Sequence, residues 1–168
     1  MSKREADVLV AIQNALYDVP GVKPSARALS LFGEHSLGWM GLSAAGAIVD
    51  KRKRRQWIAL GAGAFSSHAA SVVLKRIVRR TRPHDPRIKI GVSTPSKLSF
   101  PSSHSTSTTA VMVGLAEITG SKVPYLGIPI IMISRMVLGV HYPTDTIAGA
   151  ALGAACAKAA MEIERKTA

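Results

Sequence analysis

The stretch SRMVLGVHYPTD, which runs from Ser134 to Asp145, joins two apolar segments of the chain and places charged side chains at their junction. Arg135 lies inside the first segment, where a charge costs on the order of several kcal/mol unless it is paired or faces a polar cavity. We therefore expect Arg135 to face an anion. His141 ends that segment, and Asp145 opens the next one within reach of its ring. A carboxylate that accepts the proton of one ring nitrogen leaves the other free to attack, so the stretch indicates a histidine nucleophile with an orienting carboxylate.

Outward from this stretch, apolar residues gather into five segments, with basic residues between them. The segments are Leu37 to Val49, Trp57 to Leu74, Ser105 to Ile118, Val123 to Val140 and Thr146 to Met161. Crossing a bilayer core takes roughly 20 helical residues, and several segments are shorter, but their glycines and alanines would let helices approach closely. The pattern predicts an all-α, integral-membrane helical bundle of about five transmembrane helices. A soluble bundle is the alternative, although glycine costs about 1 kcal/mol per site in a soluble helix.

The net charge of +12 narrows the range of partners. Only 5% of the residues are aromatic, whereas proteins that bind single-stranded nucleic acid interleave aromatic and basic side chains. Basic residues instead flank the apolar segments, as from Lys51 to Arg55, and such flanks are typical of inserted helices. We therefore predict a multi-pass protein of the cell membrane, with membrane lipids and an anionic substrate as partners and no nucleic acid.

The N-terminal part of the chain differs from the rest. Residues Glu5 to Tyr17 repeat apolar side chains at helical spacing, Pro20 and Gly21 follow, and a shorter helical pattern runs from Ser25 to Phe32. We predict one domain over residues 1–168, with an amphipathic segment on the membrane surface at 1–34 and the bundle at 35–168. Packing of the first helix against the rest of the protein is an equal alternative.

A second cluster, KRIVRRTRP, begins at Lys75. If a helix continues through it, Lys75, Arg79 and Arg82 lie on nearly the same face, because seven residues are close to two turns. Arginine suits phosphate because its planar fork donates two parallel hydrogen bonds, and lysine adds a point charge. We interpret Arg76 and Arg80 as basic residues that anchor the helix end at the membrane surface.

A third cluster, FPSSHSTS, begins at Phe100 and has the composition of a helix start. The free amides and the positive dipole at such an end accept an anion. The Ser102 hydroxyl could add a donor, and His104 would lie beside a bound phosphate, ready to give a proton to a leaving oxygen. Taken alone, a serine run of this kind is usually an ordinary cap and a single histidine is usually structural.

Metal ligation is the competing use of histidine and aspartate. The sequence has no His-x-x-x-His pattern and no acidic ladder, and the clusters are rich in cations that would repel a metal. We therefore predict no metal and no cofactor, with Lys75, Arg82 and Arg135 neutralising the phosphoryl oxygens.

The three clusters together resemble the signature of the type 2 phosphatidic acid phosphatase superfamily, Lys-x6-Arg-Pro, Pro-Ser-x-His and Ser-Arg-x5-His-x3-Asp. Ser103 stands where that family commonly has glycine. The resemblance implies a helical bundle and a metal-independent phosphohydrolase that works through a phosphohistidine. It implies that His141 is the nucleophile, Asp145 its orienting group and His104 the acid. The implied phosphate pocket contains Lys75, Arg82, Ser102, Ser103, His104 and Arg135.

Three further stretches, FGEHSLGW from Phe32, RRTRPHDP from Arg79 and TPSKLSFP from Thr94, resemble the enzymes that dephosphorylate decaprenylphosphoryl-5-phosphoribose in arabinan cell-wall precursor synthesis. The implied products are decaprenylphosphoryl ribose and phosphate, and the resembled pathway favours a cytoplasmic active site. Candidate head-group contacts are Glu34, His35 and Lys97. Undecaprenyl pyrophosphate, phosphatidylglycerol phosphate and phosphatidic acid are alternative substrates. A basic membrane protein that only binds anionic lipid is the non-enzymatic alternative, and the sequence leaves the oligomeric state open.

Overall fold

A computed structural model describes residues 3–167, and within them the protein is helical, without a β-strand. Seven α-helices follow one another: α1 (Lys3–Leu16), α2 (Val22–Phe32), α3 (Leu37–Val49), α4 (Arg54–Val78), α5 (Ser103–Thr119), α6 (Gly127–Val137) and α7 (Pro143–Thr167). Short 3-10 turns lie at Glu34–Ser36, Lys51–Lys53 and Val123–Leu126. The all-α prediction is confirmed.

Each of the five predicted apolar segments overlaps one of the helices α3 to α7. Two stretches, Lys51–Val78 and Pro143–Thr167, are long and apolar enough to cross a bilayer. The helix α4 alone has 25 residues, which is about 38 Å at 1.5 Å per residue. The other three helices are shorter, so the number of spans stays a prediction.

The helix α5 lies at the centre of the bundle and is lined by hydroxyl groups. All five residues from Ser105 to Thr109 are buried, and neighbouring α4 adds buried Ser67 and Ser71. Several of these hydroxyls bond back to their own helix, as Thr106 does to the Ser102 carbonyl at 2.8 Å.

The outer surface of the bundle is apolar instead. Large exposed side chains on α4 and α7 include Ile58, Phe65, Val73, Ile77, Ile147 and Ile163. Small and hydroxyl-bearing groups inside with branched apolar groups outside suit helices that pack in lipid, where close contact rather than water exclusion holds them together.

Two glycines bring α7 against the start of α5. A Cβ added at Gly149 would lie 2.6 Å from the Ser102 carbonyl oxygen, and one at Gly153 would collide with the Thr106 carbonyl oxygen. This close approach lets the Ser102 amide donate to the Asp145 carbonyl at 2.9 Å. The packing therefore fixes the third sequence cluster beside the first.

The helix α1 packs on the bundle, as the alternative interpretation predicted. Ala6 and Leu9 lie against Ile88 and Met136. Buried Gln13 donates to the carbonyls of residues 89 (2.7 Å) and 137 (2.9 Å) and accepts from the amide of residue 89 at 2.9 Å. These bonds satisfy loop groups that would otherwise be buried without partners. A position at the membrane surface stays a prediction.

The second cluster does not continue α4 as expected. The helix ends at Val78, and Arg79 has a φ of 54°, with its amide donating to the Lys75 carbonyl at 3.0 Å. The chain beyond is extended, and the Arg82 amide donates to the Lys97 carbonyl at 3.2 Å. The prediction that Lys75, Arg79 and Arg82 share a helical face was therefore wrong. The proline after Arg82 disfavours helix at Arg82, and the chain already leaves the helix at Arg79.

Candidate active site

A cavity of about 500 Å³ opens where α4 ends and where α5 begins. The three sequence clusters, separated by up to 70 residues, meet around it. Its polar lining from these clusters consists of Lys75, Arg76, Arg82, Ser103, His104, Arg135 and His141, so Arg76, which was interpreted as a surface anchor, also borders the cavity. The structure thus brings most of the predicted phosphate-pocket residues together.

Lys75 is buried at the end of α4 and ties that helix to the start of α5. Its Nζ donates to the Ser99 carbonyl at 3.2 Å and to the Pro101 carbonyl at 2.5 Å. The ammonium therefore braces the loop that precedes α5 and also faces the cavity.

Arg82 reaches the cavity from the extended chain. Its Nε donates to the Ser96 carbonyl at 2.8 Å, and its Nη1 donates to the Val140 carbonyl at 2.8 Å and lies 3.3 Å from His141 Nε2. Burial lowers the pKa of Arg82 to about 10, which still leaves the guanidinium charged at neutral pH. A cation therefore stands directly beside the outer nitrogen of His141.

Arg135 is only 1% exposed, and its Nη1 donates to the Ser30 hydroxyl at 2.7 Å. Its Nε has no hydrogen-bond partner, and no carboxylate among residues 3–167 forms an ion pair with it. A buried arginine without a counter-ion is costly, so the geometry favours an anion in the cavity.

His141 and Asp145 lie side by side behind the cavity, at 2% and 0% side-chain exposure. His141 Nδ1 is 3.6 Å from Asp145 Oδ2, which is longer than a hydrogen bond and which a small ring movement would close. Burial, with the charges of Arg135 and Arg82, holds the pKa of His141 well below its usual range. The ring is therefore neutral at neutral pH, as a nucleophile must be.

The start of α5 supplies two different serines. The Ser102 hydroxyl is buried and accepts from the Ser105 amide at 3.3 Å and the Ser105 hydroxyl at 3.0 Å, so it caps the helix and does not line the cavity. Ser103 does line the cavity, and its Oγ is 2.8 Å from Ser71 Oγ. Ser71 donates its single hydroxyl proton to the His68 carbonyl at 2.7 Å. Ser103 is therefore the donor in its hydrogen bond with Ser71.

His104 lies in the cavity wall with its Nε2 2.9 Å from the Ser30 carbonyl oxygen. Glu34 and His35 also line the cavity, at the turn between α2 and α3. Lys97 does not; its side chain lines an adjoining depression with Arg82.

Sequence reasoning missed four residues. Ser30 of α2 holds both His104 and Arg135, and no motif marks it. His68 lines the cavity, and its position seven residues before Lys75, two helical turns, was an available signal. Ser71 orients Ser103. Arg80 donates to Asp145 Oδ1 at 2.8 Å, so its interpretation as a surface anchor was wrong.

The chain belongs to the PAP2 superfamily, whose sequence model matches residues 56–167. It is a phosphatase of that superfamily with an all-helical membrane fold. It is 60% identical over 145 residues to the decaprenylphosphoryl-5-phosphoribose phosphatase of Mycolicibacterium smegmatis, covering 86% of this chain and 81% of the relative. It is 52% identical over 150 residues to the Mycobacterium tuberculosis protein of the same name, covering 89% and 85%.

Two crystal structures share the fold. Aquifex aeolicus LpxE superposes with a TM-score of 0.77 at 20% identity, covering 94% of each chain. The transmembrane PAP2 type phosphatidylglycerolphosphate phosphatase of Bacillus subtilis superposes with a TM-score of 0.73 at 21% identity, covering 98% of this chain and 88% of the other.

Proposed function

We propose that this protein removes the 5-phosphate from decaprenylphosphoryl-5-phosphoribose, yielding decaprenylphosphoryl ribose and phosphate for arabinan and arabinogalactan synthesis in the cell wall. One observation carries the chemistry: Lys75, Arg82 and Arg135 surround one cavity with His141, and none has an ion-pair partner among residues 3–167. The relatives named for this reaction, at 52–60% identity, support the choice of lipid.

In the first step, the neutral Nε2 of His141 attacks phosphorus as the ester bond to the ribose oxygen breaks. His104 gives the leaving oxygen its proton; its Nε2 is engaged with the Ser30 carbonyl, so Nδ1 is the nitrogen free for transfer. The ring of His141 becomes positive when the phosphorus–nitrogen bond forms, and Asp145 stabilises that charge from the opposite side.

In the second step, His104 takes a proton from water, and the resulting hydroxide attacks phosphorus. The phosphorus–nitrogen bond breaks, phosphate leaves, and both histidines return to their starting states. Three fixed cations and the first amides of α5, which have no acceptor within the helix, stabilise the phosphoryl oxygens throughout. Side-chain cations thus supply the neutralisation that a metal gives in other phosphatases.

The head group contains a ribose next to the scissile phosphate. We propose that Glu34 and His35, which line the cavity at the turn between α2 and α3, contact its hydroxyl groups. Lys97 would act on the head group from the adjoining depression. The Ser102 contribution is indirect, since its hydroxyl holds the helix start in place.

We further propose a multi-pass topology, as one domain, with the cavity at the cytoplasmic face. Arg87 is exposed in the loop between α4 and α5, the loop that also carries Arg82. A cysteine at that position, with Cys156 replaced by alanine, should stay unlabelled by a membrane-impermeant thiol reagent in intact cells and react after lysis. Labelling in intact cells would reverse the orientation.

The substrate is tested by phosphate release from purified protein in lipid vesicles. The panel contains decaprenylphosphoryl-5-phosphoribose, undecaprenyl pyrophosphate, phosphatidylglycerol phosphate and phosphatidic acid, each with and without a chelator. We expect the highest kcat/KM on the first lipid and no effect of the chelator. Preference for another lipid would overturn the substrate while keeping the chemistry, and no release from any lipid would overturn the enzyme itself.

A further inference from the structure

Arg80 bridges two acidic side chains from opposite ends of the chain. Its Nη1 donates to Asp145 Oδ1 at 2.8 Å, and its Nη2 donates to Glu5 Oε2 at 2.6 Å. Its guanidinium carbon also lies 4.4 Å from the ring centroid of Tyr142, within cation–π distance. Its Nη1 also donates to the Thr144 hydroxyl at 2.6 Å, so two carboxylates, a hydroxyl and an aromatic ring hold the side chain.

The two oxygens of Asp145 have separate partners. Oδ1 accepts from Arg80, whereas Oδ2 accepts from the Tyr142 amide at 2.8 Å and faces His141 Nδ1. Among residues 3–167, Arg80 is the cation that forms an ion pair with this fully buried carboxylate. A buried carboxylate without a cation is strongly disfavoured, so Arg80 offsets the charge that His141 needs beside it.

Glu5, on α1, completes the arrangement. Its Oε1 accepts from the Thr144 hydroxyl at 2.5 Å, and Thr144 directly precedes Asp145. Partial burial raises the pKa of Glu5, but hydrogen bonds from Thr144 and Arg80 bring it below its ordinary value. The carboxylate is thus charged at neutral pH, and it holds both Arg80 and the start of α7.

We propose that Arg80 is a positioning residue for this reaction: it orients Asp145 towards His141, and Glu5 acts through it, which makes the N-terminal helix part of the catalytic apparatus. This inference rests on the roles proposed above for His141 and Asp145. Fixing Oδ1 leaves Oδ2 to accept a hydrogen bond from the Nδ1–H group of His141 when the ring becomes positive. The buried bonds of Gln13 hold α1 in the place from which Glu5 reaches Arg80.

The pH response of this site depends on every charge around Asp145. Lys75 faces it from α4, and Arg80 and Arg82 face it from the chain that follows that helix. His141 and Tyr142 face it from the turn before α7, and Glu5 lies beyond Arg80. Of these, Arg80 makes the direct ion pair, so its loss changes the protonation of the carboxylate most.

The test compares Arg80→Gln and Arg80→Lys with Asp145→Asn and with Arg79→Gln, an exposed neighbour with no ion pair among residues 3–167. For Arg80→Gln we expect kcat to fall about tenfold to hundredfold with KM little changed, the range typical when a group that orients a functional side chain is lost. The acid limb of kcat/KM should move to higher pH. Lysine at position 80 keeps the positive charge but lacks the planar guanidinium, so Arg80→Lys should have a kcat between those of Arg80→Gln and the wild type. Arg79→Gln should match the wild type.

A second measurement separates positioning from folding. Glu5→Gln should lower kcat in the wild-type background and lower it by a smaller factor in the Arg80→Gln or Arg80→Lys background, because part of its effect passes through the ion pair with Arg80 and the rest through Thr144. Additive losses, an unshifted acid limb, or a fall that only tracks the folded fraction would overturn the inference. If Arg80→Gln does not fold, the comparison of Arg80→Lys with and without Glu5→Gln tests the inference instead. A wild type without activity, or an active Asp145→Asn, would instead contradict the proposed mechanism.

Discussion

The two ends of the bundle are both basic, but they hold their cations differently. At the cavity end, Lys75, Arg82 and Arg135 are largely buried and have no carboxylate partner among residues 3–167. At the other end, Lys53 Nζ donates to the Ile118 carbonyl at 2.5 Å, and Arg55 donates to the Thr167 carbonyl at 2.5 Å.

This difference in burial and pairing distinguishes cations that are available to bind a substrate from cations that only anchor helix ends. Cations of the second end sit on the last carbonyls of α5 and α7, where the helix dipole is negative, and Arg55 lies 3.8 Å from Glu164. They are exposed and already satisfied. Cations of the cavity end are desolvated and still require an anion, so net charge alone does not locate the site.

The largest expected effect is the loss of His141, the proposed nucleophile at the cavity end. His141→Ala should reduce phosphate release at least about ten-thousandfold, because no other group can take its covalent role. Release is measured on the preferred lipid, with size-exclusion elution and thermal unfolding as controls of folding. A folded variant that keeps a tenth of the activity would exclude a phosphohistidine at this position.

The comparison between the ends is tested directly by one substitution made at each. Arg135→Gln should lower kcat/KM about a hundredfold to a thousandfold, because it removes a preorganised charge from the transition state. Arg55→Gln, the same change at the other end, should leave kcat/KM within about twofold, since exposed pairs contribute little. Equal losses for the two variants would contradict the distinction between functional and anchoring cations.

Lowering the pH should reduce activity through protonation of His141 at the cavity end. Burial and nearby cations lower the pKa of His141 below its ordinary value of about 6.5, so its ring stays neutral as the pH falls through that value. We therefore expect kcat/KM to hold through pH 6.5 and to fall about tenfold per unit only at lower pH.

The phosphate of the substrate also titrates near pH 6. Its titration curve is therefore measured by phosphorus NMR, and the pH profile of kcat/KM is corrected for the ionisation of the substrate. A corrected acid limb at or above about pH 6.5 would mean that the buried histidine is not the group being protonated.

The smallest expected effect at the cavity end belongs to Ser103→Gly. The Ser103 hydroxyl donates to Ser71, so it is not available as a donor to phosphate. Loss of one neutral hydrogen bond should change kcat/KM less than about tenfold, with Ser71→Ala as the matched partner. A hundredfold loss would show that this hydroxyl contacts the phosphoryl group directly.

The sequence was informative wherever physical chemistry leaves few options. An arginine in an apolar segment is costly unless it faces a polar cavity, and Arg135 lines one. A carboxylate four residues after a histidine can reach its ring, and Asp145 Oδ2 lies 3.6 Å from His141 Nδ1. The helical segments followed for the same reason, because long apolar stretches between basic flanks are typical of inserted helices.

What escaped prediction depends on contacts between distant parts of the chain. Arg80 meets Glu5 across 75 residues, and it can do so only because Arg79 turns the chain at the end of α4. Ser30 acts through its backbone carbonyl as well as its hydroxyl, and any residue could supply that carbonyl. Neither role leaves a local pattern in the sequence.

The close packing of α7 against α5 also has a consequence for the biosynthesis of the protein. Gly149 and Gly153 let α7 lie on a helix of buried hydroxyls, and α7 brings Asp145 with it. Because α7 is synthesised after every other helix described here, a nascent chain that holds the three cations still lacks the carboxylate behind His141. With the roles proposed for His141 and Asp145, hydrolytic competence would arrive only when α7 packs against α5, and a chain without that contact would be inert towards surrounding lipid.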